Sequence, residues 1–180
     1  MDNAIIINDP PTNHEHDLVK RFRKGVAIAK EKGFDAIAVV ESDDSYPSDY
    51  LEQMTLNGSD FVGYESTVYY NIRNKTWMHQ THPKRSSLFC TAFKISALDD
   101  FIWPSDHYLW LDIRLWEHAR DKRKPVKFLG ANPCTGIKHN VGVCAGKSHS
   151  RLLENNDKDL SFLKTRTENY QYEFYSKLRL

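Results

Sequence analysis

Two short, continuous apolar runs, Ala4 to Asn8 (AIIIN) and Ala36 to Val40 (AIAVV), flank a stretch of helical period. Runs of that length closed by turn residues read as buried strands; here Asp9-Pro10-Pro11 closes the first and Glu41-Ser42-Asp43-Asp44 the second. Between them, His16 to Lys32 places Leu18, Val19, Phe22, Val26 and Ala29 on one face, and Gly33 stands where a helix takes its C-terminal cap. Strand, helix, strand in this order predicts a parallel, right-handed βαβ unit.

Further on, Ser48 follows Pro47 and is placed to cap a short helix through about Asn57. Between Phe61 and Gln80 the β-branched and aromatic content rises, with Thr67-Val68-Tyr69-Tyr70 and Thr76-Trp77-Met78 on either side of a turn near Asn74-Lys75. That pattern predicts a hairpin, and Leu88 to Ile95 (LFCTAFKI) predicts another buried strand. Asp106 to Arg120 reads as helix and Val126 to Leu129 as a last strand. Gly130 to Ser148 is polar and rich in Gly, Asn and His, and its length marks a working loop. A final helix from about Asp157 is expected to bury Phe162, Leu163, Tyr170 and Phe174. The class predicted is α/β, a mixed and mostly parallel sheet flanked by helices, in one domain spanning residues 1–180.

Composition narrows this picture. The 25 Lys+Arg nearly cancel 24 Asp+Glu, which argues against a bulk polycationic nucleic-acid binder. With 40% hydrophobic residues the chain is not disordered, and at 180 residues it buries roughly 70% of its unfolded surface, enough for a core. No apolar run approaches the ~18 residues of a membrane span, and no signal-peptide core follows Met1, so no transmembrane segment and a cytoplasmic location are expected. Cys90, Cys134 and Cys144 form no CxxC pair and cannot all pair internally, which fits a reduced compartment and gives no sign of a catalytic thiol.

Candidate chemistry begins at the end of the second apolar run. Glu41, Asp43 and Asp44 put three carboxylates within four residues, beyond the carboxyl end of a strand, where ligands sit in open α/β sheets. Such acids repel one another, and Mg²⁺ or Mn²⁺ relieves the repulsion. Strand alternation would aim Glu41 and Asp43 to one side and Ser42 to the other. The alternative is a solvated acidic turn that caps the next helix. A second candidate lies on the Asp106–Arg120 helix. At about 100° per residue, Ile113, Trp116 and Ala119 share a stripe with Leu109, and Asp112 falls inside it, while Arg114, Glu117 and His118 fall opposite. An inward acid either pairs with a cation, Arg85 or Arg114, or lines a cleft. The third candidate is the loop Gly136-Ile137-Lys138-His139-Asn140-Val141-Gly142 with Gly146-Lys147-Ser148-His149. Lys138 and Lys147 can neutralise a leaving diphosphate, and His139 or His149 can complete a metal shell begun by carboxylates. Gly142 lies one place too close to Gly146-Lys147-Ser148 for a Walker A loop.

The stretch Ala38-Val39-Val40-Glu41-Ser42-Asp43-Asp44-Ser45-Tyr46-Pro47-Ser48-Asp49-Tyr50-Leu51 resembles the DxD region of GT-A-fold, family-two-like glycosyltransferases, with a flavour of their phage and viral members. The resemblance implies a divalent metal (Mn²⁺ or Mg²⁺) on the diphosphate of a nucleotide-sugar. Asp43 would be the main ligand, with Glu41 as the first acid of the motif, usually Asp, and Asp44 beside them. It implies Asp112 as general base on an acceptor hydroxyl in inverting transfer, although Leu111 stands where the family commonly has Glu. It also implies His139 or His149 closing over the metal, and Asp9, Lys138 and Lys147 binding the donor, a UDP-sugar first of all. Ser86-Ser87-Leu88-Phe89-Cys90-Thr91-Ala92-Phe93 is similar to the strand before the acceptor pocket, whose hydroxyls suit a sugar; a core strand explains it equally well.

On this resemblance residues 1–57 form the nucleotide-sugar and metal half, 58–130 the acceptor half, and 131–180 the closing loop and C-terminal helix. The acceptor would be a glycan or another hydroxyl, with nucleic acid entering only as acceptor. One βαβ step precedes Asp43 where the family usually has two. The expectation is therefore a small or N-terminally shortened GT-A-like domain with a reduced base pocket, open to completion by a second subunit in a homo-oligomer. The rivals are a metal-dependent phosphodiesterase or nuclease, which needs a lysine near the acids that neither Lys84 nor Lys94 supplies well, and a non-catalytic binding module. His14-Glu15-His16-Asp17 matches neither HxHxDH nor HExxH. The basic runs Lys20–Lys24 and Arg120–Lys124 read as solvated helix faces, with contact to membrane-surface phosphates or nucleic acid as the alternative.

Overall fold

The computed structural model describes residues 17–139 and 155–178. The strand expected at Ala4 to Asn8, and with it the parallel half of the βαβ unit, lies outside them. Helix α1 (Leu18–Glu31) buries Val19 and Val26 and packs Phe22 and Ala29 partly behind them, as the 3.6-residue period requires. It ends as expected on Gly33, whose φ of +77° allows the Phe34 amide to reach the Ala29 carbonyl (3.0 Å) and its own amide to reach Lys30 (3.1 Å).

Two four-stranded mixed sheets follow. The first runs β1 (Ala36–Ala38), β5 (Thr91–Lys94), β2 (Phe61–Tyr64), β6 (Val126–Leu129). The second runs β7 (Thr135–Lys138), β3 (Ser66–Asn71), β4 (Thr76–Thr81), β8 (Asn155–Asn156). The α/β class stands, but the sheet is not mostly parallel. β1·β5, β2·β5, β3·β4 and β4·β8 are antiparallel, and only β2·β6 and β3·β7 are parallel. The hairpin β3–β4 forms as its composition predicts, with Asn71 Oδ1 accepting the amides of Arg73 (3.0 Å) and Asn74 (2.9 Å) across the turn.

Because β2 runs almost directly into β3, and β6 into β7, the chain passes from the first sheet to the second twice in the same sense. Side-chain alternation then sorts the core. Phe61 and Phe93 face α1 and helix α3 (Leu111–Asp121), with Leu111, Leu115, Trp116 and Ala119. Val62, Tyr64 and Ala92 share a cluster with Tyr69, Phe89, Cys90 and Cys134 that draws on both sheets. Tyr70 and Ile137 meet Leu163 of helix α4 (Ser161–Arg166), where Trp77 also stacks on Phe162.

Several elements differ from the sequence pattern. Leu88 to Ile95 is a 3₁₀ turn (Leu88–Cys90) followed by β5, because the side chains of Ser86 and Thr91 bond the main chain there. Helix α2 (Tyr50–Gln53) is a single turn preceded by Asp49, not Ser48, and no side chain caps it. The expected final helix is two pieces, α4 and α5 (Asn169–Lys177), because Asp157 draws in the amides of Phe162 and Leu163 and Thr167 turns extended. Leu163 is buried, but Tyr170 and Phe174 are 71% and 60% exposed, so they are not core. Val40, read as the end of a buried run, is 56% exposed. No helix among the described residues is long and apolar enough to cross a membrane.

Candidate functional site

The strand ends at Ala38, and residues 41–44 form a turn closed by the Asp44 amide on the Glu41 carbonyl (3.2 Å). Strand alternation therefore does not set where Glu41 and Asp43 point. Tyr46 Oη accepts the Glu41 amide (2.8 Å), and Tyr50 Oη lies 3.0 Å from the carbonyls of Val39 and Phe89, so a half-buried and a buried phenol brace the approach to the turn.

What gives the turn its chemistry is its pairing with a strand the sequence pattern missed. Gly130 to Ser148 is not all loop, since Thr135–Lys138 forms β7. Ser45 exchanges both main-chain hydrogen bonds with Thr135 (2.9 and 3.0 Å), and Asp44 Oδ1 accepts the Ile137 amide (2.7 Å). Running antiparallel from that bridge, the chain brings Lys138 and His139 back towards the acids. His139 Nε2 lies 3.4 Å from Asp43 Oδ2.

Asp44 is 6% exposed, and its Oδ2 has no hydrogen-bond partner among the described residues. Burial pushes its pKa up to about 8, against the pull of Lys138 and with a further push from the negative field of Glu41. Burial likewise raises the Glu41 pKa, Lys138 opposing it and Asp43 and Asp112 reinforcing it. Asp43 is half exposed. Lys138 is 7% exposed, with its Nζ 5.1 Å from the centroid of the Tyr69 ring. A buried ammonium among carboxylates is the arrangement that a ligand phosphate or the acids themselves must balance.

Asp112 stands in the first turn of α3 and pairs with Arg85, the first of the two cations its inward position called for. Arg114 instead pairs with Glu117 on the surface. The side chain of Asp112 is 15% exposed; burial raises its pKa and Arg85 pulls it back. Its field on Glu41 and Tyr69 places it in the same electrostatic neighbourhood as the acidic turn. The wheel is corrected at His118, which is buried with Nε2 3.0 Å from the Ala97 carbonyl, and at Leu115, which shares the core stripe. The hydroxyls of Ser86, Ser87 and Thr91 are consumed internally. Ser86 Oγ accepts the Tyr64 amide (3.1 Å) and donates to the Cys90 carbonyl (2.9 Å), Ser87 Oγ meets Tyr69 Oη (2.9 Å), and Trp116 Nε1 donates to Thr91 Oγ1 (3.1 Å). They belong to the core rather than to a sugar pocket.

Of the residues named from sequence, Glu41, Asp43, Asp44, Lys138 and His139 come together around the turn, with Asp112 and Arg85 in their field. Asp9, Lys147 and His149 lie outside the described residues. Among the described residues no three His, Cys, Asp or Glu side chains form a group that could hold a metal ion as placed. The fit to Mg²⁺ or Mn²⁺ is therefore one of charge and of an unsatisfied oxygen on Asp44, not of finished coordination geometry. The sequence pattern also missed Gln171 and Tyr175 of α5. Gln171 bonds Ser45 and Tyr46, and Tyr175 Oη donates to the Asp43 carbonyl (3.2 Å). Only a contact more than 120 residues away in sequence reveals them.

Gly136 sits opposite Tyr69 in the β3·β7 pairing. A methyl group there would come 2.7 and 2.9 Å from the Tyr69 ring. Gly136→Ala should therefore displace the ring beneath Lys138 and cost about 1–3 kcal/mol. Thermal unfolding would register this as a midpoint lower by roughly 2–12 °C; an unchanged midpoint would mean that the ring moves aside freely.

No protein-family model, no curated protein and no solved structure matches the chain.

Proposed function

We propose that this chain is a metal-dependent glycosyltransferase that moves a sugar from a nucleotide-sugar donor, a UDP-sugar first of all, to a hydroxyl acceptor with inversion. The observation that carries the reading is the buried Asp44 carboxyl with an unpartnered oxygen, set in a turn of acids and stitched to the strand that delivers Lys138 and His139. The GT-A-like order of motifs along the chain supports it independently. Glu41, Asp43 and Asp44, with His139, would hold Mn²⁺ or Mg²⁺, and the metal would supply Lewis-acid neutralisation of the diphosphate. Lys138 adds a fixed positive charge where negative charge gathers on the leaving group. Asp112, oriented by Arg85, takes the acceptor proton. Its burial raises its proton affinity, as a base needs, and the Arg85 guanidinium opposes that rise. Asp9, Lys147 and His149 enter this reading from the sequence alone, as does completion of the donor site by a second copy.

One observation favours a second reading, metal-dependent phosphodiester hydrolysis. That chemistry wants a lysine beside the acids, and Lys138 is there, whereas Lys94 is tied to Asp60 (2.9 Å). The test is to incubate the metal-free protein with Mn²⁺ and a panel of UDP-, GDP- and dTDP-sugars, with a chromogenic phosphodiester and DNA in parallel. Donor-specific heat stabilisation and release of the nucleoside diphosphate are expected. Diester cleavage without any donor response would move the assignment to hydrolysis, and silence from every donor and diester would sink both.

A further inference from the structure

We propose that helix α5 is a strap on the acidic turn, in which Gln171 and Tyr175 are positioning residues that set the affinity of Glu41, Asp43 and Asp44 for a divalent cation. The inference rests on the metal role proposed above for those acids. The inner side of the turn is held by β7 through Ser45 and Asp44; the other hold comes from α5. Gln171 and Tyr175 are four residues apart and so share one helix face. The Gln171 amide is used at both ends. Its Oε1 accepts the Ser45 hydroxyl (2.8 Å) and the Glu168 amide (3.0 Å), and its Nε2 donates to the Tyr46 carbonyl (3.2 Å). Tyr175 Oη donates to the Asp43 carbonyl (3.2 Å), and burial, reinforced by the fields of Asp44 and Asp43, pushes this phenol up to about 12, so it keeps its proton.

These bonds go to the main chain of Asp43 and Tyr46 and to the Ser45 hydroxyl. They act on the shape of the turn rather than on the carboxylates' charge. The shape needs holding: a cation binds the ionised acids, which repel one another and favour an open turn, and it must otherwise gather them at an entropic cost. The helix is suited to the task. It is nine residues long, too short to be stable alone, and it buries no residue fully, so its order depends on this polar docking and on the partly buried Tyr172 and Tyr175. Coupling is reciprocal, so a cation bound at the turn must also steady the helix.

The experiment titrates Mn²⁺ into metal-free wild type, Tyr175→Phe and Gln171→Ala, reading free Mn²⁺ by electron paramagnetic resonance, with the metal-free unfolding midpoint measured for each. The strap predicts Mn²⁺ binding weaker by roughly 5- to 30-fold in either variant, the loss expected for one or two hydrogen bonds, with little change in the midpoint. In the wild type, Mn²⁺ should slow amide hydrogen exchange over residues 169–177. If wild type binds Mn²⁺ and both variants bind it equally well, the strap is overturned while the metal site stands. If wild type binds no Mn²⁺, the metal role itself falls and the strap with it. Should a variant fail to fold, the wild-type exchange decides: no added protection over 169–177 on Mn²⁺ binding overturns the proposal.

Discussion

Asp44→Asn is expected to make the metal-free protein more stable at pH 7, with a thermal midpoint higher by roughly 4–12 °C, and to give no gain at pH 4. The folded chain holds this carboxyl neutral up to about pH 8, while an unfolded chain ionises it near 3.8. A raised acid pKa means that the folded state binds the extra proton. The contribution of Asp44 to stability is therefore greatest below pH 4 and is lost as pH rises from about 4 to 8. At about 1.4 kcal/mol per pH unit the ceiling at pH 7 is on the order of 4 kcal/mol. Glu41, Asp43 and Lys138 share the proton affinity, so about 2–3 kcal/mol is the working expectation. Asparagine keeps an acceptor for the Ile137 amide and never ionises, so it removes the pH slope without losing that bond. Unfolding curves of both proteins at pH 4, 5.5, 7 and 8 measure it directly. A variant less stable than wild type at every pH would mean that Asp44 is a structural anchor and not a destabilised acid. Added Mn²⁺ should stabilise wild type, more at pH 8 than at pH 5.5, and leave Asp44→Asn nearly unmoved.

The second large effect is on turnover. On the transferase reading proposed above, Asp112→Asn should lower sugar transfer by about 10²- to 10⁴-fold while Mn²⁺ and donor binding stay close to wild type. The substitution is isosteric and leaves Arg85, itself partly exposed, able to turn to water, so the fold should survive. Single-turnover transfer with donor and acceptor, alongside calorimetric binding of donor and Mn²⁺, separates the two effects. Equal loss of binding and transfer would make Asp112 part of the donor site through its field on Glu41 rather than the base. Unchanged transfer would remove it from the reaction altogether.

The elements that appear where the sequence pattern puts them are those whose cause is local. Helix α1 carries a 3.6-residue stripe from Val19 to Ala29, with Leu18 of the expected face left exposed, and its own Gly33 stop. The β3–β4 hairpin carries its turn chemistry in Asn71 to Lys75. Strand β6 falls on Val126–Leu129, the residues the pattern assigns to it. Elements displaced from their pattern owe their limits to distant partners. Strand β7 reads as a Gly-rich loop until β3 and Ser45 supply its hydrogen bonds, and the tail of the chain reads as one helix until Asp157 and Thr167 divide it.

The same division runs through the candidate site. By itself the sequence determined that three acids cluster after Ala36 to Val40, that Asp112 faces inward and calls for a cation or a cleft, and that Lys138 and His139 share a segment. Charge density, helical period and adjacency are all properties of a few consecutive residues. Only the tertiary structure decided that Asp44 is the buried acid while Asp43 stays half exposed, and that Lys138 lies in their field. It also decided that Ser86, Ser87 and Thr91 spend their hydroxyls on the core, and that α5 holds the turn from more than 120 residues away. The reason is physical: burial and field depend on what packs around a group, and here the packing is set where one strand end meets a strand of the other sheet.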